Sequence, residues 1–419
     1  MLKNTCISDP EVYKIVAAEL DRQEHNIEMI ASESTAPLEV MELSGCVFTN
    51  KTTEGYPGAR FQAGSKIADR IENLAIERAK KLYGAEHANM QVYSGSTANY
   101  GIYAAILKPG DHVLSMRLDQ GGHLTHGSPV NFLSKVYNYQ FYGVDSQTEQ
   151  IDYDVLEKLA EKHKPKLIIA GGSSYPRLID YPRISEIAKK VGAYMMVDMA
   201  HVAGLVAAGV IPSPVPHADF VSSSTTKTFC GPRSGLILCK AEHAEKLDKG
   251  VFPGSVGSIH LNTIAAKAFS LKYAGTPAFR AIMEQVVTNA QKLAEELTFH
   301  GFRIVSGGTD NHILLVDLRQ KGITGKLFQN ALEKVGITVN KNMIPFDPAS
   351  PFVTSGVRIG LTSISQRGLK EAEVAEIAAI MNQVANASEE QTNIDSCRAK
   401  AEALIARFPL YPAGSFEDK

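Results

Sequence analysis

The sequence predicts an α/β protein: a large domain with a mostly parallel central sheet covered by helices on both faces, followed by a smaller α+β domain. Three observations carry this. Short apolar runs such as Leu167-Ile168-Ile169-Ala170, Tyr194-Met195-Met196-Val197 and Leu236-Ile237-Leu238-Cys239 are bounded by turn residues, as buried strands are. Through residues 85–240 such runs alternate with helical stretches, the βαβ pattern of a parallel sheet. Beyond a long periodic segment that begins at Pro277, the pattern changes to scattered strands and helices. The expected division is an N-terminal arm and helix over 1–50, a large domain over 51–275 and a small C-terminal domain over 276–419.

Composition narrows the classes of function. The 419 residues include 43 basic and 45 acidic side chains, a net charge of -2, with no long run of one sign. That argues against nucleic acid or an anionic membrane as the main partner. No apolar run is long enough to span a bilayer, and Met1 to Glu19 show no basic-then-apolar leader. The five cysteines are scattered, odd in number and not spaced as metal pairs, so free thiols in a reducing compartment are expected. Together these lead to the expectation of a cytoplasmic protein.

Taken in order, residues 10 to 30 read as a helix opening at Pro10-Glu11, and the polar cluster Ala31-Ser32-Glu33-Ser34 follows. Asn50 to Arg60 form a turn-rich loop, and residues 66–83 a strongly periodic helix that stops at Gly84. Tyr93-Ser94-Gly95-Ser96 precedes the helix around Ile102 to Leu107, and a small-residue turn there gathers free N–H groups suited to a phosphate. Residues 112–116 and 136–142 are strand-like and flank Gly121-Gly122-His123-Leu124-Thr125-His126-Gly127. Two histidines at this spacing suit a metal, but no third ligand recommends itself, so no metal is expected; a loop histidine covering a ring is the better reading. A helix from Pro182 to Val191 precedes the run at Tyr194. A helix from Pro277 to His300 leads to strands at 302–305, 313–317 and around 357–360. The tail from Glu389 to Lys419 holds one more helix and a loosely held Pro-rich end.

The chemistry centres on two residues. Asp198 ends the apolar run at Tyr194, and Lys227 follows Ser222-Ser223-Ser224-Thr225-Thr226 just past the next strand. Ligands of open α/β sheets bind outside the carboxyl ends of the strands, and right-handed crossovers bring these loops to one edge. A lysine among hydroxyls near a strand-end aspartate is the layout of a pyridoxal phosphate enzyme. The lysine forms a Schiff base with the cofactor aldehyde, and the acid keeps the ring nitrogen protonated so that the ring can act as an electron sink. Alone, the two residues are better read as a surface lysine and an ordinary strand-end aspartate; the flanking motifs reverse that.

Those motifs are Glu54-Gly55-Tyr56-Pro57-Gly58, Ser94-Gly95-Ser96, Gly121 to Gly127, Val197 to His201, Lys227-Thr228, Gly231-Pro232-Arg233, Val251 to Gly254, Gly307 to His312 and Pro351 to Gly360. In order and spacing the chain resembles the serine hydroxymethyltransferase family over nearly its whole length. The resemblance implies the fold type I of pyridoxal phosphate-dependent transferases, pyridoxal 5'-phosphate as cofactor, tetrahydrofolate as co-substrate, small amino-acid substrates and a homodimer with shared active sites. By matching position it implies Lys227 as the Schiff-base lysine, Asp198 as partner of the ring nitrogen and His123 stacked on the ring. His201 and Ser173 would lie near the phenolic oxygen. Ser94, Gly95, Ser96 and Ser224 would hold the phosphate, with Gly257 reaching in from the second subunit. Arg358 would take the substrate carboxylate with help from Ser32, and Glu54, also from the second subunit, would transfer a proton.

The chain departs from that family's pattern at Thr52, Phe61 and Gln62, where the family has tyrosines, and at Thr226 and Tyr93, where it has histidines. Ser34 and Leu361 are further departures. Two functions follow as expectations. One is reversible Cα–Cβ cleavage of serine with tetrahydrofolate as one-carbon acceptor. The alternative is an aldolase, a transaldolase or an α-substituted-amino-acid hydroxymethyltransferase of the same family.

Overall fold

Seven strands run through the middle of the chain in a computed structural model that describes residues 3–415. The last four residues of the Pro-rich end lie outside the described residues, as do Met1 and Leu2. The strands are β1 (His87–Asn89), β2 (His112–Met116), β3 (Asn138–Tyr142), β4 (Leu167–Ala170), β5 (Tyr194–Asp198), β6 (Phe220–Ser224) and β7 (Gly235–Cys239). Their spatial order is β1-β7-β6-β5-β4-β2-β3. The pairs from β6 through to β3 are parallel, and β7 runs antiparallel to both β6 and β1. β4, β6 and β7 are buried along their whole length, which is why they read as unbroken apolar or small-residue runs. Ile102 and Tyr103 pack with Ile169, Met196, Phe220 and Ile237 in one core cluster.

The chain divides into two units. One takes in Ala36–Glu284 with Asp310–His312 and contains the seven-stranded sheet; the other takes in the chain up to Thr35, Gln285–Thr309 and the chain from Ile313 onward. In the first, register sets the chemistry. Asp198 pairs with Ser222 across β5 and β6, so the carboxylate stands at a parallel-strand carboxyl end beside the serine-rich end of its neighbour. The helix Lys66–Tyr83 stops at Gly84, whose φ of 68° is the left-handed conformation that a glycine adopts without strain.

The second unit holds β8 (Arg303–Ile304), β9 (Ile313–Asp317), β10 (Asn340–Asn342) and β11 (Gly356–Gly360) in the antiparallel order β8-β9-β11-β10. Arg358 is central on β11, opposite Leu315 and Asn340. The N-terminal helix corrects the sequence reading of 10–30. It spans Pro10–His25, Asn26 turns extended, and Ile27–Glu28 pairs in parallel with Ile337–Thr338. Apolar spacing could not separate these, because Ile27 and Met29 are buried through strand contacts and not on a helix face.

Arg367 accounts for the sharp stop. Its guanidinium donates to the carbonyls of Gln23 at 3.0 Å, Glu24 at 2.8 Å and Asn26 at 3.2 Å, and twice to Phe408 at 2.8 and 2.6 Å. It thus satisfies carbonyls that a helix leaves unpaired at its C-terminus and places positive charge at the negative end of the dipole. Arg367→Met is expected to lower stability by about 3 kcal/mol, since buried carbonyls lose charged donors. Urea unfolding together with amide exchange in Pro10–His25 checks this; an unchanged midpoint and unchanged protection would contradict the capping role.

Candidate active site

Asp198 is buried, and its carboxylate is met by three hydrogen-bond donors. Oδ1 accepts the Ala200 N–H at 3.0 Å; Oδ2 accepts the Asn99 amide at 2.9 Å and faces His126 Nε2 at 3.1 Å. Asn99 is fully used. Its second amide hydrogen goes to Thr125 Oγ1 at 2.8 Å, and its oxygen accepts from Ser222 Oγ at 2.6 Å. That pattern fixes which way the amide points. Burial by itself would raise the Asp198 carboxyl; the His126 hydrogen bond, the imidazoles of His126 and His123 and the Asn99 amide outweigh it and hold the carboxyl below the usual carboxylate range. A carboxylate oxygen takes about two donors, so Oδ1 keeps acceptor capacity.

His126 Nδ1 receives the His123 N–H at 3.4 Å, leaving Nε2–H to donate to Asp198. His123 Nδ1 receives the Thr125 N–H at 3.2 Å and lies 2.7 Å from Thr125 Oγ1. Donor atoms of His123, His126 and Asp198 all lie within 4.8 Å of one another. The third group that sequence spacing did not offer is therefore Asp198, brought beside the two histidines by tertiary folding. Direct hydrogen bonding to His126 and Asn99 accounts for this arrangement as it stands.

Lys227 lies in the left-handed region at φ 52° and opens the short 3-10 helix Lys227–Phe229. A bulky residue held there is strained, and such strain gathers at functional positions. Its neighbour Thr228 donates to the His201 carbonyl at 2.8 Å and accepts the Gly204 N–H at 3.0 Å, which ties the lysine loop to the segment after Asp198. The missing side chain of Gly204 is required, since a Cβ would stand 2.0 Å from the Thr228 oxygen.

Ser94 caps the helix Gly95–Ile106. Its hydroxyl accepts the Thr97 N–H at 3.1 Å, while Thr97 Oγ1 accepts the N–H groups of Tyr93 and Ser94 at 2.9 and 2.8 Å. The first backbone bond of the helix is Ala98 N–H to Ser94 C=O, so the first-turn N–H groups of Gly95 and Ser96 precede the ladder. A Cβ on Gly95 would touch Ser224 at 3.5 Å, and Ser224 Oγ meets Thr226 Oγ1 at 2.8 Å. The phosphate-type turn and the lysine loop therefore adjoin.

Ser173 donates its N–H to the Gly121 carbonyl at 2.7 Å, joining the histidine loop. Its neighbour Gly171 packs on Asp198, where a Cβ would stand 2.1 Å from the Asp198 carbonyl oxygen. His201 stacks on His312 with ring centroids 5.6 Å apart and Nδ1 3.4 Å from Nε2. A cleft lined by Gly171, Tyr175, Asp198, His201 and Asn311 opens on this side.

Glu54 and Gly257 form a second patch of the same unit, with Glu54 Oε1 3.9 Å from where a Gly257 Cβ would stand. Gln62 grips Glu54 twice, accepting its N–H at 2.8 Å and donating to Oε2 at 2.9 Å. Tyr93, next to Ser94, donates its hydroxyl to the Ser258 carbonyl at 2.6 Å and stacks on His260 at 4.5 Å. Ser32 and Arg358 belong to the other unit, on adjoining segments: Gly360 N–H donates to Met29 O at 2.8 Å, and a Cβ on Gly360 would stand 2.2 Å from Ala31 Cα. Arg358 Nε donates to Asn340 Oδ1 at 3.1 Å, and burial pushes its guanidinium down to about 10. Sequence reasoning missed Asn99 as the hub and His126 as the direct partner of Asp198.

Pyridoxal phosphate asks for an amine, a buried ionised acid with a free lone pair and an N–H-rich phosphate cradle. Lys227, Asp198 Oδ1 and the Ser94–Ser96 turn provide those three, and the donor set around Asp198 holds it in the required charge state, so the residues fit the group.

The Asp198 network gives a pH prediction. The folded carboxyl lies below its unfolded value, so its stabilisation is present above the ordinary carboxylate range and is lost as pH falls through the folded value. His126→Leu is expected to cost about 1–3 kcal/mol at neutral pH, with the gap to the parent closing progressively below about pH 4. His126→Gln, whose amide nitrogen can stand in for Nε2–H, should recover part of it. Urea titrations of the three chains across pH read this; a gap of constant size would mean that His126 acts through packing.

A family model described as serine hydroxymethyltransferase matches residues 6–381 of the 419. With Lys227, Asp198 and the serine-capped turn set around one sheet edge, the chain belongs to the serine hydroxymethyltransferase family, pyridoxal phosphate-dependent transferases of fold type I.

Proposed function

We propose that the chain catalyses reversible transfer of a hydroxymethyl group between serine and tetrahydrofolate, forming glycine. The observation that carries the reading is the buried Asp198 carboxylate held ionised by Asn99 and His126 beside the Lys227 loop, within a chain of this family. Bound pyridoxal phosphate supplies the electron sink that Cα–Cβ cleavage needs. Lys227 offers the amine that anchors it, Asp198 keeps the ring nitrogen protonated, and Ser94, Gly95, Ser96 and Ser224 bind the phosphate. His123 covers the ring; His201 and Ser173 serve the phenolic oxygen. Arg358, with Ser32, takes the substrate carboxylate, because a planar guanidinium makes a bidentate pair that an ammonium cannot. Glu54 moves the proton at the substrate hydroxyl.

The active form in this reading is a homodimer in which Glu54 and Gly257 serve the partner's site. Their shared patch and the largely exposed ring of Phe61 beside it support this. No helix among the described residues is long and apolar enough to cross a membrane, and the five cysteines are free, in keeping with a cytoplasmic setting.

One observation favours a second reading. Gln62, in place of a family tyrosine, binds both the backbone and the carboxylate of Glu54. A carboxylate already holding an amide donor is fixed in one orientation, and a small misplacement in a reacting group costs about 10²-fold in rate. That supports an aldolase or transaldolase acting on another β-hydroxy amino acid.

A product assay with serine, threonine and phenylserine, each with and without tetrahydrofolate, separates the two. Folate-dependent glycine formation from serine, unimproved in a Thr52→Tyr/Gln62→Tyr variant, is the expected outcome. Folate-independent cleavage of threonine or phenylserine, with serine cleavage gained only in the double variant, would overturn it in favour of the second reading.

A further inference from the structure

Lys267 is a buried cation for which the reaction above has no use. It sits in the helix Leu261–Ala274 with no exposed surface, and its Nζ donates to the carbonyls of Met90 at 2.6 Å and Gly235 at 3.0 Å. Burying an ammonium costs several kcal/mol unless other groups offset it. Both partners are neutral, and both carry backbone that leads to the Ser94 turn. Met90 opens the run through Gln91, Val92 and Tyr93 to Ser94. Gly235 lies against Ser94 itself, since a Cβ there would stand 2.5 Å from the Ser94 carbonyl oxygen. Ser234, next along, donates to Val92 O at 2.9 Å.

The charged groups around Lys267 are few. From the helix Lys66–Tyr83, Glu72 is the acid that acts on it. Glu72 is itself engaged by the Arg60 guanidinium and by the Gln91 amide at 2.7 Å. Arg60 is further paired with Asp69 at 2.8 Å. Arg78 on the same helix donates to Ala268 O at 2.6 Å, and Glu39, on the helix Leu38–Ser44, acts on Tyr273. The carboxylate nearest in effect is thus shared with a guanidinium, and an anion bound at the Ser94 turn would be a second counter-charge.

We propose that Lys267 is a positioning residue for the cofactor phosphate, fixing the two backbone segments behind the Ser94-Gly95-Ser96 turn and coupling anion binding there to uptake of a proton on its own ammonium. The inference rests on the reading of that turn as the phosphate cradle. Burial pushes the Lys267 ammonium down to about 7, with Glu72 pulling it back up. Burial against two neutral carbonyls thus disfavours the charged lysine in the free protein. An anion nearby favours the charged form, so binding and protonation reinforce each other.

The test uses the full-length chain stripped of cofactor and inorganic sulfate as the probe, because sulfate has no titration of its own near neutrality. Calorimetry at pH 7 in two buffers of different ionisation heat reads proton uptake. We expect a fraction of a proton taken up per sulfate, and sulfate affinity falling roughly tenfold from pH 6 to pH 9. In Lys267→Met the uptake should vanish and the affinity become flat with pH. Should that variant not fold, Glu72→Gln, which removes the facing acid, should move the uptake maximum to lower pH. Sulfate that displaces pyridoxal phosphate without proton uptake, uptake unchanged in Lys267→Met, or an unmoved maximum in Glu72→Gln would overturn the proposal. Failure of sulfate to compete with pyridoxal phosphate would instead overturn the phosphate-cradle reading.

Discussion

The buried charge of Asp198 is the constraint on which the site depends. A carboxylate taken out of water stays ionised only where donors surround it. Here they come from three separate places: Asn99 on the helix Gly95–Ile106, His126 in the loop after β2, and the Ala200 N–H just past β5. Asn99 also bonds Thr125 and Ser222, so one amide locks a helix, the histidine loop and β6 to the carboxylate. The helix that carries this hub also carries the Ser94 cap at its N-terminus. One rigid element therefore positions both the Asp198 carboxylate and the Ser94 turn.

The lysine is placed by a different device. β7 returns antiparallel to β6 with Gly235 opposite Ser224, and the connection between them must close tightly enough to hold Lys227 at positive φ. Gly231 makes that closure. Its N–H donates to Thr225 O at 2.7 Å, and a Cβ would stand 2.7 Å from that oxygen. Thr228 then pins the loop to the His201 backbone. The backbone of Lys227 is thus held in the left-handed region between fixed ends.

Much of this was legible in the chain. Strands buried on both faces read as apolar runs whatever their direction, so the sequence shows the parallel β4 and β5 and the antiparallel β7, and with them Asp198 and Lys227 near strand ends. The hub was not legible. Asn99 sits in a helix of small and apolar residues where nothing marks it, and its partners stand 26, 99 and 123 residues away in sequence. The same distance hid Asp198 as the third group of the histidine cluster, and hid the attachment of Asp310–His312 to the unit of the large sheet. Apolar spacing extends the N-terminal helix too far because periodicity cannot see Arg367 arriving from the far end of the chain to cap it. Gln62 was visible as a departure, but its double grip on Glu54 follows from a hairpin whose two-residue strands are too short to announce themselves.

The central claim is that Lys227 carries the cofactor opposite Asp198. Borohydride reduction of the cofactor-loaded protein, followed by proteolysis and mass spectrometry, tests it most directly. The account predicts one modified peptide, with the pyridoxyl group on Lys227. Modification of another lysine, or none in a protein saturated with pyridoxal phosphate, would contradict it.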